Sequence, residues 1–335
     1  MPETAPVCVL GAGSWGTALA ILLARNGNRT LLWGRDPERM AQMQACRSNE
    51  KYLPGIVFPE PLKVVSDLDV TLKQCQDILI VVPSHSFVET LIKIKPLLLD
   101  NARIAWATKG LEPHTGALLS TTVERELGSA IPLAILSGPT FAKELANNLP
   151  TACTFASNNT DFQNSFIQRL HNPRFRIYKS DDMIGVQLGG AVKNIIAVGA
   201  GMGDGLGFGS NSRTALITRG LAEITRLGRA LGADPHTLYG LSGLGDLLLT
   251  STDDQSRNRR FGLALGKGKS IEEAESDIGQ VVEAVRNTKE VQDLAKRLGI
   301  EMPIVDAIYQ VLYQKLSPED AARMLLTRAL TDETH

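Results

Sequence analysis

The chain has 335 residues, of which 43% are hydrophobic and 21% charged, with a formal net charge of −1. Such a composition suits a globular chain of about two domains and excludes a disordered one. It also excludes the bulk basic field that draws nucleic acid or anionic lipid, so any anion site has to be local.

The chain opens on "MPETAPVCVLGAG", with no basic leader, and no uninterrupted apolar run reaches membrane-spanning length. A cytoplasmic protein without membrane insertion is the expectation. Cys8, Cys46, Cys75 and Cys153 form no CxxC pair. Reduced thiols and no metal site are therefore expected. Short aliphatic runs follow at 7–10, 30–33, 78–82, 103–107, 132–136, 152–156 and 175–178. Most are continuously apolar, as strands are when helices cover both faces of a parallel sheet. Helical patterns at 15–26, 84–98 and 160–171 lie between them. The alternation predicts a doubly wound, mostly parallel sheet over residues 1–181. Beyond it the strand-like runs stop. Patterns at 182–201, 212–232, parts of 271–298, 304–315 and 318–329 predict an all-α domain over 182–335. In "SPED", Ser317 suits a helix cap and Pro318 the first helical position.

The segment "VCVLGAGSWG" places Gly11, Gly13 and Gly16 in a G-x-G-x-x-G array between a strand and a helix. That context is the dinucleotide fingerprint. The first glycine makes the turn, the second admits a pyrophosphate, and the third allows close helix packing. The helix N-terminus then offers free N–H groups to the anion. After the second strand comes "WGRDPE", with Gly34 and Arg35 where an NAD-selective site carries an acid. Arginine there either pairs with a 2′-phosphate, which favours NADPH with NADH tolerated, or is a solvated loop charge. Asp36 is the competing acid, presented by a slight shift of register. "WATKGLE" and "LSGPTFAKEL" put Lys109, Gly138, Thr140 and Ala142 just past two further strands. Ligands of open α/β sheets bind at those strand ends. Lys109 is either a point charge for a substrate oxygen or an exposed structural lysine; Thr140 is either a ligand or a cap.

"LGGAVKNIIAVGAG" surrounds Lys193 and Asn194 with small and aliphatic residues. On a helix, Lys193 shares its face with Gly189, Gly190, Ile196, Ala197 and Ala200. Either the helix packs tightly and the lysine snorkels outward, or a desolvated ammonium faces a ligand and exchanges protons with it. Downstream, "GLGDLLLT" presents Asp246 on a glycine turn, where a carboxylate can hold that ammonium. "SRNRR" gathers Ser256, Arg257, Asn258, Arg259 and Arg260. The run is either a solvated basic patch or a clamp for a phosphate dianion.

Taken together, "GAGSWGTALA", "VPSHSF", "WATKGLE", "SGPTFAKELA", "QLGGAVKNIIAVGAGMGDGLGFGSNSRTALITRGLAE", "GLGDLLLT" and "QSRNRRFG" resemble the NAD(P)-dependent glycerol-3-phosphate dehydrogenases of the bacterial type. The likeness runs in order from about residue 7 to 328. It implies an N-terminal Rossmann domain and a helical domain of the 6-phosphogluconate dehydrogenase C-terminal type. It implies reversible reduction of dihydroxyacetone phosphate to sn-glycerol 3-phosphate for phospholipid synthesis, and a homodimer. It further implies that Lys193 is the acid/base, assisted by Lys109 and Asp246. Substrate contacts fall on Lys109, Gly138, Thr140, Lys193, Asn194, Asp246, Ser256, Arg257 and Asn258. Cofactor contacts fall on Gly11, Gly13, Ser14, Trp15, Gly16, Arg35, Lys109, Ala142, Arg257, Val281 and Glu283. A β-hydroxyacid dehydrogenase or ketopantoate-type reductase shares this plan, but a carboxylate substrate does not call for the SRNRR run. A dinucleotide-sensing protein would not need Lys193, Lys109 and Asp246 together.

Overall fold

The computed structural model describes residues 5–329. Its contacts divide the chain into two compact units, the first up to Glu112 and over Ala117–Gln187, the second over Pro113–Gly116 and from Leu188 onward. By these contacts the division falls between Gln187 and Leu188. Val186 packs into the core beneath the first unit's sheet, and Gln187 accepts from the Ser120 N–H at 2.9 Å and donates to its hydroxyl at 3.0 Å.

The first unit is built on ten strands: β1 Val7–Leu10, β2 Thr30–Trp33, β3 Ser48–Asn49, β4 Leu53–Val57, β5 Leu62–Val65, β6 Asp77–Ile80, β7 Arg103–Trp106, β8 Leu133–Ser137, β9 Thr151–Ser157 and β10 Phe175–Ser180. Eight form one sheet in the order β10-β9-β8-β7-β6-β1-β2-β5. All its pairings are parallel except β8 with β9. Alternation along the strands sorts side chains onto two cores. Val7, Val9, Leu79 and Ala105 enter one; Cys8, Leu10, Ile78, Ile80 and Trp106 enter the other. Every residue of β1, β2 and β6 is buried, which is why their sequences are apolar except for Thr30 and Asp77 at the starts of β2 and β6. β5 was not foreseen because, at the sheet edge, "LKVV" buries only alternate residues. The β3–β4 hairpin escaped because "SN" carries no apolar signal. The chain leaves β1 toward β2 and returns through β6 on its other side, so the sheet order reverses beside β1. Ligands of such sheets bind at that reversal.

The second unit is helical. Its long members are Ser210–Leu231, Glu283–Leu298 and Pro303–Gln314, with most of Met183–Gly205, which begins in the first unit. Ser317 caps the helix Pro318–Leu326 by accepting from the Asp320 N–H at 3.0 Å. The pattern over 271–298 breaks into Ile271–Ile278 and Glu283–Leu298 at Gly279, which adopts a left-handed φ of 63°. The 84–98 pattern is a helix only over Phe87–Ile94, with 3-10 turns on both sides. By length and apolarity alone, Met183–Gly205 could cross a membrane, although Lys193 and Asp204 interrupt its apolar run. Instead 89% of its most apolar window is buried within the protein.

Candidate active site

In the first unit the site grows from β1. Gly11 follows the strand, donates its N–H to the Trp33 carbonyl at 3.0 Å and turns at a φ of 121°. A side chain there would collide with the Val81 carbonyl just past β6, and one at Gly16 would collide with Gly11 itself. Both glycines are thus required by close backbone approach. Gly13 differs, because apart from the adjoining chain no described atom lies within 4 Å of where its Cβ would stand. It precedes the helix Ser14–Arg25, whose N-terminus has no side-chain cap. Trp15 packs partly into the core, and its buried indole N–H finds no acceptor among the described residues. Open space at Gly13, uncapped N–H groups and a spare indole donor are the chemistry a dinucleotide diphosphate needs. The residues fit that group.

Past β2, Arg35 is exposed. Asp36, its competitor, caps the helix Pro37–Cys46 by accepting from the Arg39 N–H at 3.1 Å. At the ends of β7 and β8, Lys109 Nζ donates to the Gly138 carbonyl at 3.2 Å. Thr140 Oγ1 donates to the same carbonyl at 3.2 Å, so Thr140 supports the turn rather than capping a helix. Ala142 begins the short helix Ala142–Ala146 and packs partly against the core.

In the second unit, Lys193 is only 6% exposed, so it does not snorkel to water. Its ammonium donates to Asp246 Oδ1 at 2.5 Å and to Thr250 Oγ1 at 2.7 Å. Asp246 is fully buried and opens the helix Asp246–Thr252, where the positive end of the helix favours a carboxylate. A buried cation is tolerable only with such partners. The neighbouring glycines serve the chain's own packing. A side chain at Gly189 would collide with the Ser242 carbonyl, in the turn that delivers Asp246. One at Gly262 would collide with the Val198 carbonyl, so the helices Met183–Gly205 and Arg257–Gly266 touch backbone to backbone. That approach seats Asn258 Nδ2 on Asn194 Oδ1 at 2.9 Å, and Asn194 is itself buried.

Ser256 is buried as the cap of Arg257–Gly266, accepting from the Arg259 N–H at 3.2 Å. Arg257 Nη1 donates to Gln280 Oε1 at 3.1 Å. Burial pushes the Arg257 guanidinium below its ordinary range, and the nearby Glu283 carboxylate opposes the shift. Arg257 is half-buried, and a guanidinium next to an asparagine amide in the chain is chemistry suited to an anion. Asn258 Oδ1 accepts from the Ala284 N–H at 3.3 Å, beside Glu283 at the start of Glu283–Leu298. Val281 is exposed just before that helix. Arg259 is turned away to other work. It pairs with Asp204 at 2.7 Å and with Asp254, tying its helix to the end of Met183–Gly205. The structure thus gathers Lys109, Gly138 and Thr140 in one unit, and Lys193 with Asp246 and Asn194 with Asn258 in the other. Thr250 and Gln280 were not foreseen. Thr250 lay within reach of sequence reasoning, four residues after Asp246 on one helix face; Gln280 has no local signal.

A family profile for the N-terminus of NAD-dependent glycerol-3-phosphate dehydrogenase matches residues 6–163, and one for its C-terminus matches 182–323. The chain belongs to this family. It is an oxidoreductase that uses a nicotinamide dinucleotide. A glycerol-3-phosphate dehydrogenase [NAD(P)+] of Shewanella frigidimarina is 60% identical over the whole chain and 99% of its own length. The crystal structure of glycerol-3-phosphate dehydrogenase from Coxiella burnetii is 51% identical, with a TM-score of 0.95 over 98% of this chain and 100% of that one. A PanE/ApbA family ketopantoate reductase from Ralstonia eutropha superposes with a TM-score of 0.61 at 16% identity over 95% of this chain and 99% of its own, a likeness of fold alone.

Proposed function

We propose that this member of the family reduces dihydroxyacetone phosphate to sn-glycerol 3-phosphate, reversibly, with Lys193 as the proton donor to the new hydroxyl. The observation that carries the reading is the buried ammonium of Lys193 fixed between Asp246 and Thr250. Bound on the Gly11–Gly16 loop, with Ser14, Trp15, Arg35, Ala142, Val281 and Glu283 contributing, the dinucleotide supplies the hydride. Asp246 and Thr250 each accept one N–H of the lysine and so fix the direction of its ammonium. Lys193 then delivers a proton to the alkoxide as charge develops, and Lys109 stabilises that charge. Arg257, Ser256 and Asn258 hold the phosphate, with Asn194, Gly138 and Thr140 completing the substrate contacts. Binding energy from the remote phosphate thereby positions the reacting carbon. Reversal needs the same lysine as base.

Arg35 is proposed to read the 2′-phosphate, favouring NADPH over NADH; the commitment of Asp36 to a helix cap supports this by removing the acid that would select NADH. Family membership extends the proposal to a cytoplasmic homodimer that supplies glycerol phosphate for phospholipids. The test is NADPH consumption by the purified protein with dihydroxyacetone phosphate, dihydroxyacetone or ketopantoate. Turnover confined to the phosphorylated ketone is expected; turnover of ketopantoate, or of none, contradicts the reading.

A further inference from the structure

The carbonyl of Ala12, between the first two glycines of the dinucleotide loop, is held by two side chains from outside the motif. Arg39 Nη2 donates to it at 2.9 Å and Asn49 Nδ2 at 3.2 Å. The two donors also hold each other, Arg39 Nη2 reaching Asn49 Oδ1 at 3.2 Å. Neither is loose. Asn49 is 1% exposed, lies in β3 and donates as well to Thr17 Oγ1 at 2.8 Å, so it binds the loop to the helix that follows. Arg39 sits in the first turn of Pro37–Cys46, and its guanidinium lies 4.4 Å from the centroid of the Tyr52 ring. Cation–π contact of this kind fixes the plane of the guanidinium.

A peptide unit is planar and trans, so its C=O and N–H point in opposite directions. Pinning the Ala12 carbonyl toward Arg39 and Asn49 turns the Gly13 N–H the other way. Among the described residues no backbone group is seen to accept from that N–H, and nothing beyond the adjoining chain lies within 4 Å of where a Gly13 side chain would stand. Without the two donors, the Ala12 carbonyl can swing its negative end toward the place an anion has to occupy. We propose that Asn49 and Arg39 are positioning residues that hold the Ala12–Gly13 peptide in its anion-binding orientation, presenting the Gly13 N–H to the cofactor diphosphate. Arg39 adds a formal positive charge behind the loop.

The diphosphate is common to NADH and NADPH, and this gives the test its discrimination. The inference rests on dinucleotide binding and not on the preference assigned to Arg35. For Arg39→Met and Asn49→Leu, the dissociation constants of NADH and NADPH should rise by the same factor, about 10-fold, the scale of one lost hydrogen bond to a charged group. Turnover at saturating dinucleotide and the KM for the ketone should stay within about twofold, and Arg39→Lys should recover most of the affinity. Arg39 is half-buried at the surface, so Arg39→Met carries the test if Asn49→Leu does not fold. Unchanged affinity in the Arg39 variant overturns the proposal. So does a loss confined to NADPH, which would place Arg39 on the 2′-phosphate, and so does a fall in turnover that tracks the melting temperature. An Arg35→Ala variant measured beside them separates the two readings, since failure of NADPH preference there leaves the Arg39 result standing.

Discussion

The two units place positive charge in opposite ways. In the first, the anion-binding loop is mostly backbone: a tight turn at Gly11, open space at Gly13 and an uncapped helix N-terminus. In the second, charge is carried by side chains taken out of water and paired inside the fold, as Lys193 is with Asp246 and Arg259 with Asp204. Backbone N–H groups need no counter-charge and cannot titrate. Buried side-chain charges need partners, and each partner is a point of failure. The backbone site is therefore robust and generic, whereas the side-chain site is the one proposed to carry the chemistry and the selectivity for substrate.

Substitutions can break that contrast in graded steps. The largest loss among binding residues is expected at Arg257, where Arg257→Ala should raise the KM for the phosphorylated ketone about 30-fold, since a hydrogen bond to a charged group contributes about 1.5–3 kcal/mol. Dinucleotide affinity should fall less; steady-state kinetics with each substrate varied will show it. Arg35→Ala should raise the KM for NADPH about 10-fold while sparing NADH; equal losses would remove the 2′-phosphate assignment. Thr250→Val keeps shape and deletes one acceptor for the Lys193 ammonium. Its turnover should fall about fivefold at unchanged KM, consistent with one neutral hydrogen bond.

The smallest effect on turnover, and the sharpest contrast in stability, belongs to Glu223. Its buried carboxylate accepts from the N–H groups of Ile304 and Val305 at 2.7 and 3.2 Å, capping Pro303–Gln314 from another helix. Burial raises its pKa to about 7, against the two N–H groups and Arg226, which lower it, while Asp306 adds to the rise. The folded state therefore holds a proton that the unfolded chain has released, between the ordinary 4.5 and about 7. Stability falls as pH rises through that window, by about 3 kcal/mol once both states are ionised. Glu223→Gln, whose amide accepts only one of the two N–H groups, should lose this pH dependence: between pH 5 and 8 its stability in denaturant melts should stay level while that of the parent falls. Parallel pH profiles for the two proteins would refute this.

The same contrast explains what could be read in the sequence. The first unit's sheet was legible because buried parallel strands are written as contiguous apolar runs, and its loop because three glycines within six residues carry the geometry. β5 was not, since an edge strand shows only half a pattern, and neither was the Asn49–Ala12 bond, whose partners are 37 residues apart. In the second unit, helix positions followed from periodicity, but the partners of each charge did not. Lys193 meets Asp246 across 53 residues and Asn194 meets Asn258 across 64. The glycine-rich face around Lys193 was legible as a demand for space, while its occupant, the Ser242 and Arg259–Leu263 backbone, was not. Arg259 shows the limit most plainly: inside a basic run, only the fold separates an anchor from a ligand.

The buried Lys193 ammonium, as proton donor, stands at the centre of the proposed mechanism. Its most direct test is turnover of Lys193→Ala with dihydroxyacetone phosphate, alongside NADPH affinity by fluorescence titration. A fall in kcat of at least about 100-fold, the usual scale for a general acid, is expected with dinucleotide affinity preserved. Activity within a few-fold of the parent would contradict the role of Lys193.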